Sequence, residues 1–559
     1  MGRDVHRRDF LRMTGGTLAG ASVLGALDGT ALARETGAGL WQEYLASPDT
    51  HPRIPNVSYA GYRRGERPLP RPPVRVNVRA FGAKGDGETD DTAAMNRAIE
   101  ALARHGGTVF LPPGRYRLTG VIWMHHSGVV LRGAGRGRTT LFFDESLTTA
   151  YRPPGRNEWS FSGGMVWFIP RQLRQGLEDR GFMGNEGWLD DRELAEVTST
   201  VRRGARRIPV TDPSAFSPGD HVLLLADNPP DSSLLAHLAG DVPGTRTYPW
   251  NTAAQRLRPE LTSWPLAENF SRYRFPVQVA AVERNAIVLA QPTRIDLLPG
   301  WKPRFRALGP AVRDAGIEAL TIEMRQITQP AHHADPGFNG PHFQAALNCW
   351  AREVDVWHSD NGFGLTSAKG VTLSDVTVGG RARHHSFVCR VQSHDMLVDR
   401  FRIPAATTPL GSGAAYHGIN TEGFTSGNVW SDGVMDGTFD SHRALPFDSV
   451  RTAIRVANTG NTGGHGEAGP RWGARFCHWN IEVTNGRSHG IRLEEHAPFS
   501  AMVGVRGTSG PTDHAKDFTG PLHSVVESLD GDVHPANLYR AQLRDRLHRR
   551  ATAEQAAEE

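Results

Sequence analysis

Apolar and polar residues alternate in short runs along most of this chain, and long amphipathic helices are few. Val371-Thr372-Leu373-Ser374-Asp375-Val376-Thr377-Val378 shows the pattern of a half-buried strand. Similar units centre near Leu320, Val354, Val376, Phe401, Val434, Val456 and Ile481, with spacings of 34, 22, 25, 33, 22 and 25 residues. Units of 22 to 25 residues fit one turn of a solenoid built from three short strands, and the longer ones fit a turn carrying a loop. The 62 glycines suit such a fold of short strands and tight turns.

The segment Val76–Leu118 is the exception to plain alternation. Asp90, Asp91 and Thr92 supply capping oxygens, and Met95, Ala98, Ile99 and Leu102 fall on one helical face. His105-Gly106-Gly107 stops that helix. Thr108-Val109-Phe110-Leu111 is an apolar strand ended by Pro112-Pro113-Gly114. This stretch resembles the N-terminal entry segment of the pectate-lyase superfamily. Gly82-Ala83-Lys84-Gly85-Asp86-Gly87-Glu88-Thr89-Asp90-Asp91-Thr92 matches its turn and helix, and Val109 to Tyr116 matches its first-coil strand. The resemblance implies an all-β fold, a right-handed parallel β-helix (pectin-lyase-like solenoid), with Asp86, Asp90 and Asp91 as capping residues. It specifies architecture better than activity, because one fold hosts many chemistries.

The resulting organisation has six parts. Residues 1–33 form a signal peptide, 34–74 an extended Arg- and Pro-rich arm, and 75–145 the cap and first coils. Residues 146–310 form an inserted small β-subdomain with loops, 311–534 the coils with the groove, and 535–559 a closing helix and disordered tail. Within 1–33, His6-Arg7-Arg8-Asp9-Phe10-Leu11-Arg12 resembles the twin-arginine export motif, and Ala31-Leu32-Ala33 matches a small-x-small cleavage site. This implies passage through the Tat translocase and a secreted protein, extracellular or periplasmic, with no membrane contact after signal removal. Cys349, Cys389 and Cys477 match no zinc spacing and read as small buried residues. The net charge of +4 is spread along 559 residues without a basic tract, which argues against nucleic acid.

Stacked coils bring residues about one turn apart into contact, and this spacing locates the candidate chemistry. His417, Asp440 with His442, and His465 are 23 to 25 residues apart and predict a ladder on one face. Glu422, Arg443, Asp448, Arg451, Arg471 and Trp472 accompany it; His358, His384 and His385 form a second ladder upstream. β-Elimination on a uronate needs a base for the C5 proton, an acid for the leaving oxygen and a cation for the carboxylate. His442 with His417 or His465 is the expected base and acid pair, since neutral imidazole is a competent base near pH 7. Arg443, Arg451 and Arg471 are expected to hold the carboxylate. Glu422, Asp440 and Asp448 orient these groups, or serve as the acid pair of a hydrolase. Asn420-Thr421-Glu422, Gly464-His465-Gly466 and Ile491-Arg492-Leu493 echo the polygalacturonase family in order, but its paired aspartate is missing. The favoured substrate is an acidic polysaccharide or oligosaccharide cleaved by a lyase. A polygalacturonase-like hydrolase and a non-catalytic glycan-binding solenoid are the alternatives. No cofactor is firmly implied. Calcium is the ion a lyase of this fold would take, yet no acidic cluster makes a site for it, so Arg and His are expected to neutralise the charge.

Overall fold

The computed structural model describes residues 39–184, 187–188, 190–250, 272–460, 469–509, 516–529 and 531–558. The signal peptide expected at 1–33 lies outside the described residues.

The alternating runs become strands of two long parallel sheets, and the chain passes from one to the other on each turn. One sheet runs from Val74–Asn77 through Gly316–Met324, Trp350–Trp357, Thr372–Gly379, Leu397–Ile403, Val429–Gly437 and Val450–Asn458 to Val525–Glu527. The other runs Ile122–Met124, Val166–Phe168, Pro341–Leu347, Asn361–Lys369, His385–Arg390, Ile419–Glu422 and Phe439–Arg443. A short third face is marked by parallel bridges linking Lys369, His394, Ser426 and Phe447. This is the right-handed parallel β-helix expected from the sequence. Its interior is lined by side chains stacked coil on coil, such as Phe168 on Phe343 at 4.4 Å between ring centres and Phe363 on Phe387 at 5.5 Å.

The repeat positions are largely in register. Leu320, Val354, Val376 and Phe401 form one column. Val434 and Val456 do not continue it. The column passes through Gly433, Ile454 and Ile481, and Val434 is half exposed. The reason is steric: a Cβ at Gly433 would lie 2.2 Å from the Phe401 ring, so the large ring of one coil fills the space of the next.

A helix forms at Thr92–Glu100, burying Ala94, Met95, Ala98 and Ile99, but the Asp91 carboxylate expected to cap it makes no bond to its first turn. The aspartates of this entry segment all work in turns. Asp91 accepts from the backbone N–H of Lys84 and Gly85, at 2.6 and 2.9 Å, Asp90 accepts from the Thr92 N–H, and Asp86 from those of Glu88 and Thr89.

Three boundaries differ from expectation. The arm opens with a helix, Gly39–Ala46, because Leu40, Trp41 and Tyr44 share a buried face packed on the coils. The inserted subdomain is narrower than 146–310. Its antiparallel six-stranded sheet spans Asp190–Glu196 to Arg304–Leu308, whereas Val166–Phe168 still belongs to the coils. The closing helix runs Leu538–Glu558, so the expected disordered tail is helical. The pairs Arg549–Asp545 and Arg550–Glu554 support its last turns. Cys349, Cys389 and Cys477 are free and buried, as read from the sequence.

Two histidines inside the body carry a pH consequence. His342 bonds Thr366 Oγ1 at 3.0 Å, and Gly364 leaves room for it, since a Cβ there would meet the ring at 2.2 Å. His394 bonds Ser426 Oγ at 2.9 Å and the Arg274 carbonyl at 2.8 Å. Burial pushes both down to about 3. The unfolded chain takes up their protons near pH 6.5, so stability is full above that pH and falls as the pH drops towards the folded values. Each contributes a slope of up to about 1.4 kcal/mol per pH unit. Denaturant titrations between pH 7 and 4 are expected to show this acid-side decline; a flat profile would refute it.

Candidate functional site

The outer face of the second sheet is where coil stacking gathers polar side chains. Asn420 pairs in register with Asp440, and Thr366 with Arg390. The loops that precede and follow the strands bring the histidines in. His384 ends one turn and His417 ends the next, and the His417 N–H donates to the His384 carbonyl at 2.8 Å. His442 follows Asp440 by two residues on Phe439–Arg443, at a register shift of the ladder, and its ring lies beside the Asp440 carboxylate. The segment from Trp159 to Gly163 covers the face, held by Asn339 Nδ2, which donates to the carbonyls of Trp159, Ser162 and Gly163 at 2.8 to 3.1 Å. The Ala331–Asp335 loop packs beside that segment, with the Asp335 N–H donating to Ser160 Oγ at 3.3 Å and the His333 ring 5.0 Å from Phe161, and His332 and His333 are exposed at its rim.

The result is one histidine cluster running from a buried floor to that rim. Ring centres lie 4.7 Å apart for His417 and His442, 5.0 Å for His384 and His417, 5.0 Å for His385 and His417, and 4.9 Å for His332 and His384. Asp440 sits between two of them, its Oδ2 at 3.3 Å from His417 Nδ1 and 3.6 Å from His442 Nδ1. Burial works against the charge on Asp440, yet the two imidazoles outweigh it and hold the carboxyl well below the usual range. His384 Nδ1 contacts Asp335 Oδ2 at 2.7 Å, and His385 Nδ1 contacts Asn361 Oδ1 at 2.7 Å. Burial drives His384 and His385 well below the ordinary imidazole value, so both are neutral. Beneath the cluster, Arg390 and Glu422 form a wholly buried ion pair.

Of the residues singled out in the sequence, the fold brings together His384, His385, His417, Glu422, Asp440 and His442, and so joins members of the two expected ladders in one cluster. His465 lies outside the described residues, and so does the side chain of Arg443. Five other candidates are placed away from the substrate side. Arg451 is fully buried, with the rings of Trp430, Phe439, Trp472 and Phe476 within 5.3 to 5.8 Å, and it supports Asp440 from below by donating to its carbonyl at 2.9 Å. Burial lowers its pKa to about 9. Trp472 packs in that same interior against Phe476, so it offers no open ring face. Arg471 is engaged by Asp517 through its N–H at 2.9 Å and its guanidinium at 3.3 Å. Asp448 pairs with Arg475 at 2.5 Å in a different buried network. His358 stands at a turn outside the cluster, where its Nδ1 accepts from the Arg381 N–H.

Sequence reasoning missed His332, His333 and Asp335, which lie on a loop and carry no coil spacing, and Arg390, the partner of Glu422. The adjacent pair His332-His333 followed by Asp335 is the only local signal.

Comparison with known proteins places both ends of the body. Residues 75–153 match the family description "Rhamnogalacturonase A/epimerase, pectate lyase-like", and residues 414–553 match a domain of unknown function (DUF4955). Alginate lyase 7 of Azotobacter vinelandii is 45% identical over 90 residues, 14% of this chain and 10% of that enzyme's length. The mannuronan C5-epimerase AlgE4 of the same organism is 46% identical over 72 residues, 12% of this chain and 13% of its own. The chain thus spans only about a tenth of the length of these curated relatives. Among solved structures, the tailspike gp49 of Pseudomonas phage LKA1 overlays with a TM-score of 0.42 at 12% identity, covering 77% of this chain and 70% of that one.

Proposed function

We propose that this protein cleaves an acidic, uronate-containing polysaccharide by β-elimination. The observation that carries this reading is the buried carboxylate of Asp440 set between the imidazoles of His417 and His442. A carboxylate against one imidazole nitrogen orients the ring and stabilises the cation formed when the other nitrogen takes a proton. His442 is the base in this scheme. It removes the proton at C5, the C5–H electron pair becomes the C4–C5 double bond, and the C4–O glycosidic bond breaks. The leaving oxygen takes a proton from water.

The carboxylates favour elimination over hydrolysis. A hydrolase needs one carboxyl held as an acid beside another acting as base or nucleophile. Here Glu422 is locked to Arg390, and Asp440 is held ionised. The short matches to an alginate lyase and to mannuronan C5-epimerases support a uronate polymer as substrate, and the twin-arginine-like motif supports action outside the cytoplasm.

The test is incubation with alginate, polygalacturonate and other acidic glycans, read by ultraviolet absorbance and product mass. Unsaturated uronates formed without uptake of water are expected. Saturated reducing ends, or unchanged chains on every acidic glycan, would overturn the proposal.

A further inference from the structure

We infer that His332, His384 and His417 form a binding site for a divalent transition-metal ion of the zinc type. One ligand atom from each of the three lies within 4.8 Å of the others. They come from three separate segments, the rim loop and two successive coil turns, so no local sequence accident gathers them.

The buried members are prepared as ligands. His384 is 1% exposed and its Nδ1 faces Asp335, which fixes the tautomer and leaves the Nε2 lone pair free. That Nε2 has no hydrogen-bond partner among the described residues. His417 is 3% exposed, neither of its ring nitrogens makes a well-directed hydrogen bond, and Asp440 stands behind its Nδ1. A carboxylate behind a ligating imidazole is the usual outer support of a metal site. By contrast, His394 and His478, buried elsewhere in the coils, each have partners at both ring nitrogens. Leaving buried imidazole nitrogens unbonded costs stability unless a ligand satisfies them.

The donor set selects the ion. Three imidazoles suit zinc and its neighbours, whereas calcium takes six to eight oxygens. The neighbouring triad of His417, Asp440 and His442 also converges within 4.8 Å. With His417 committed to the ion, Asp440 backs that ligand on one side and His442 on the other. His332 at the exposed rim leaves an open position facing solvent, where a sugar carboxylate can bind.

The ion's role, though not its binding, rests on the elimination reading. Elimination needs a cation at the carboxylate, and the guanidiniums of Arg390, Arg451 and Arg471 are already engaged by protein groups. A bound ion supplies that charge, while His442 remains the base.

The test uses untagged full-length protein. Elemental analysis after purification is followed by chelation and titration of the stripped protein with Zn²⁺ and Co²⁺. One ion per chain is expected, with Co²⁺ giving the visible absorption of a low-coordinate nitrogen site. H332A and H384A are expected to weaken binding at least tenfold with circular dichroism unchanged, and D335N about 10- to 100-fold. H442A is expected to keep the ion and lose turnover. No stoichiometric binding by the wild-type chain, or binding indifferent to H332A and H384A, would overturn the site. If the ion binds but no unsaturated product forms, the site stands and the elimination reading falls.

Discussion

Asp440→Asn is expected to lower turnover about 100- to 10,000-fold, the range associated with loss of an oriented general base. The side chain is 2% exposed and wedged between two imidazoles, so the amide occupies the same space. What changes is charge. The carboxylate favours the protonated form of His442 as the proton moves, and it sets which ring nitrogen faces the substrate. An amide does neither with comparable strength, and can present its NH₂ group to a ring nitrogen that needs an acceptor. Arg451 still donates to the backbone carbonyl of residue 440, so the floor of the site is retained. The fall should appear in kcat with KM little changed, because Asp440 lies below the surface that a glycan touches. Far-ultraviolet circular dichroism should match the wild type. Activity within threefold of wild type on a substrate that the parent cleaves would remove Asp440 and the His442 scheme together.

How much of this was legible depends on whether the signal was local. The cap could be read because its helix, turn and strand are contiguous, and each aspartate satisfies neighbours within a few residues or in the next turn. The coils could be read because alternation has a fixed period. Register failed at Val434, where a glycine rather than a side chain occupies the interior column opposite Phe401. In the site, coil spacing grouped His417 with Asp440 and His442, but it set His384 and His385 on a separate ladder with His358, because the long turn between His385 and His417 breaks the period. The placement of Arg451 did not follow, because adjacent strand residues point to opposite faces and composition alone does not say which; that of Trp472 did not, because it lies on the irregular segment before Cys477–Val483, where nothing alternates. An arginine enclosed by four aromatic rings reads in sequence like any groove cation. His332 and Asp335 escaped because a loop carries no period at all, though they complete the cluster.

The largest expected loss of stability lies away from the cluster, at Asp395. This carboxylate is wholly buried and receives the Arg294 guanidinium, the Lys369 ammonium and, at 3.0 Å, the Gln291 amide. Gln291 and Arg294 come from the inserted subdomain; Lys369 and Asp395 belong to the coils. Lys369 also stands 3.9 Å from the centre of the Phe275 ring, which lies in the subdomain sheet. The network therefore fastens the subdomain onto the solenoid. Burial by itself would raise the Asp395 pKa, but Arg294 and Lys369 bring it down to about 2, while burial lowers Lys369 to about 8. Asp395→Ala strands two buried cations, of which Arg294 retains the Asn56 carbonyl at 3.4 Å and the more distant carboxylate of Asp448 at 3.9 Å. Breaking a buried pair by removing one partner costs about 3–5 kcal/mol. The apolar cluster around Phe275 and Phe305 also takes in Phe424, Leu445 and Phe447 of the coils, so the seam rests on this network and on apolar contacts together, and the expected result is loosening of the seam ahead of global unfolding. Limited proteolysis should cut the D395A variant near the base of the subdomain at denaturant concentrations that leave the wild type intact. Replacing Asp395 and Lys369 together with apolar residues should recover part of the loss, since one of the two uncompensated charges is then gone. A D395A protein as resistant as the parent would show that apolar contacts alone hold the subdomain in place.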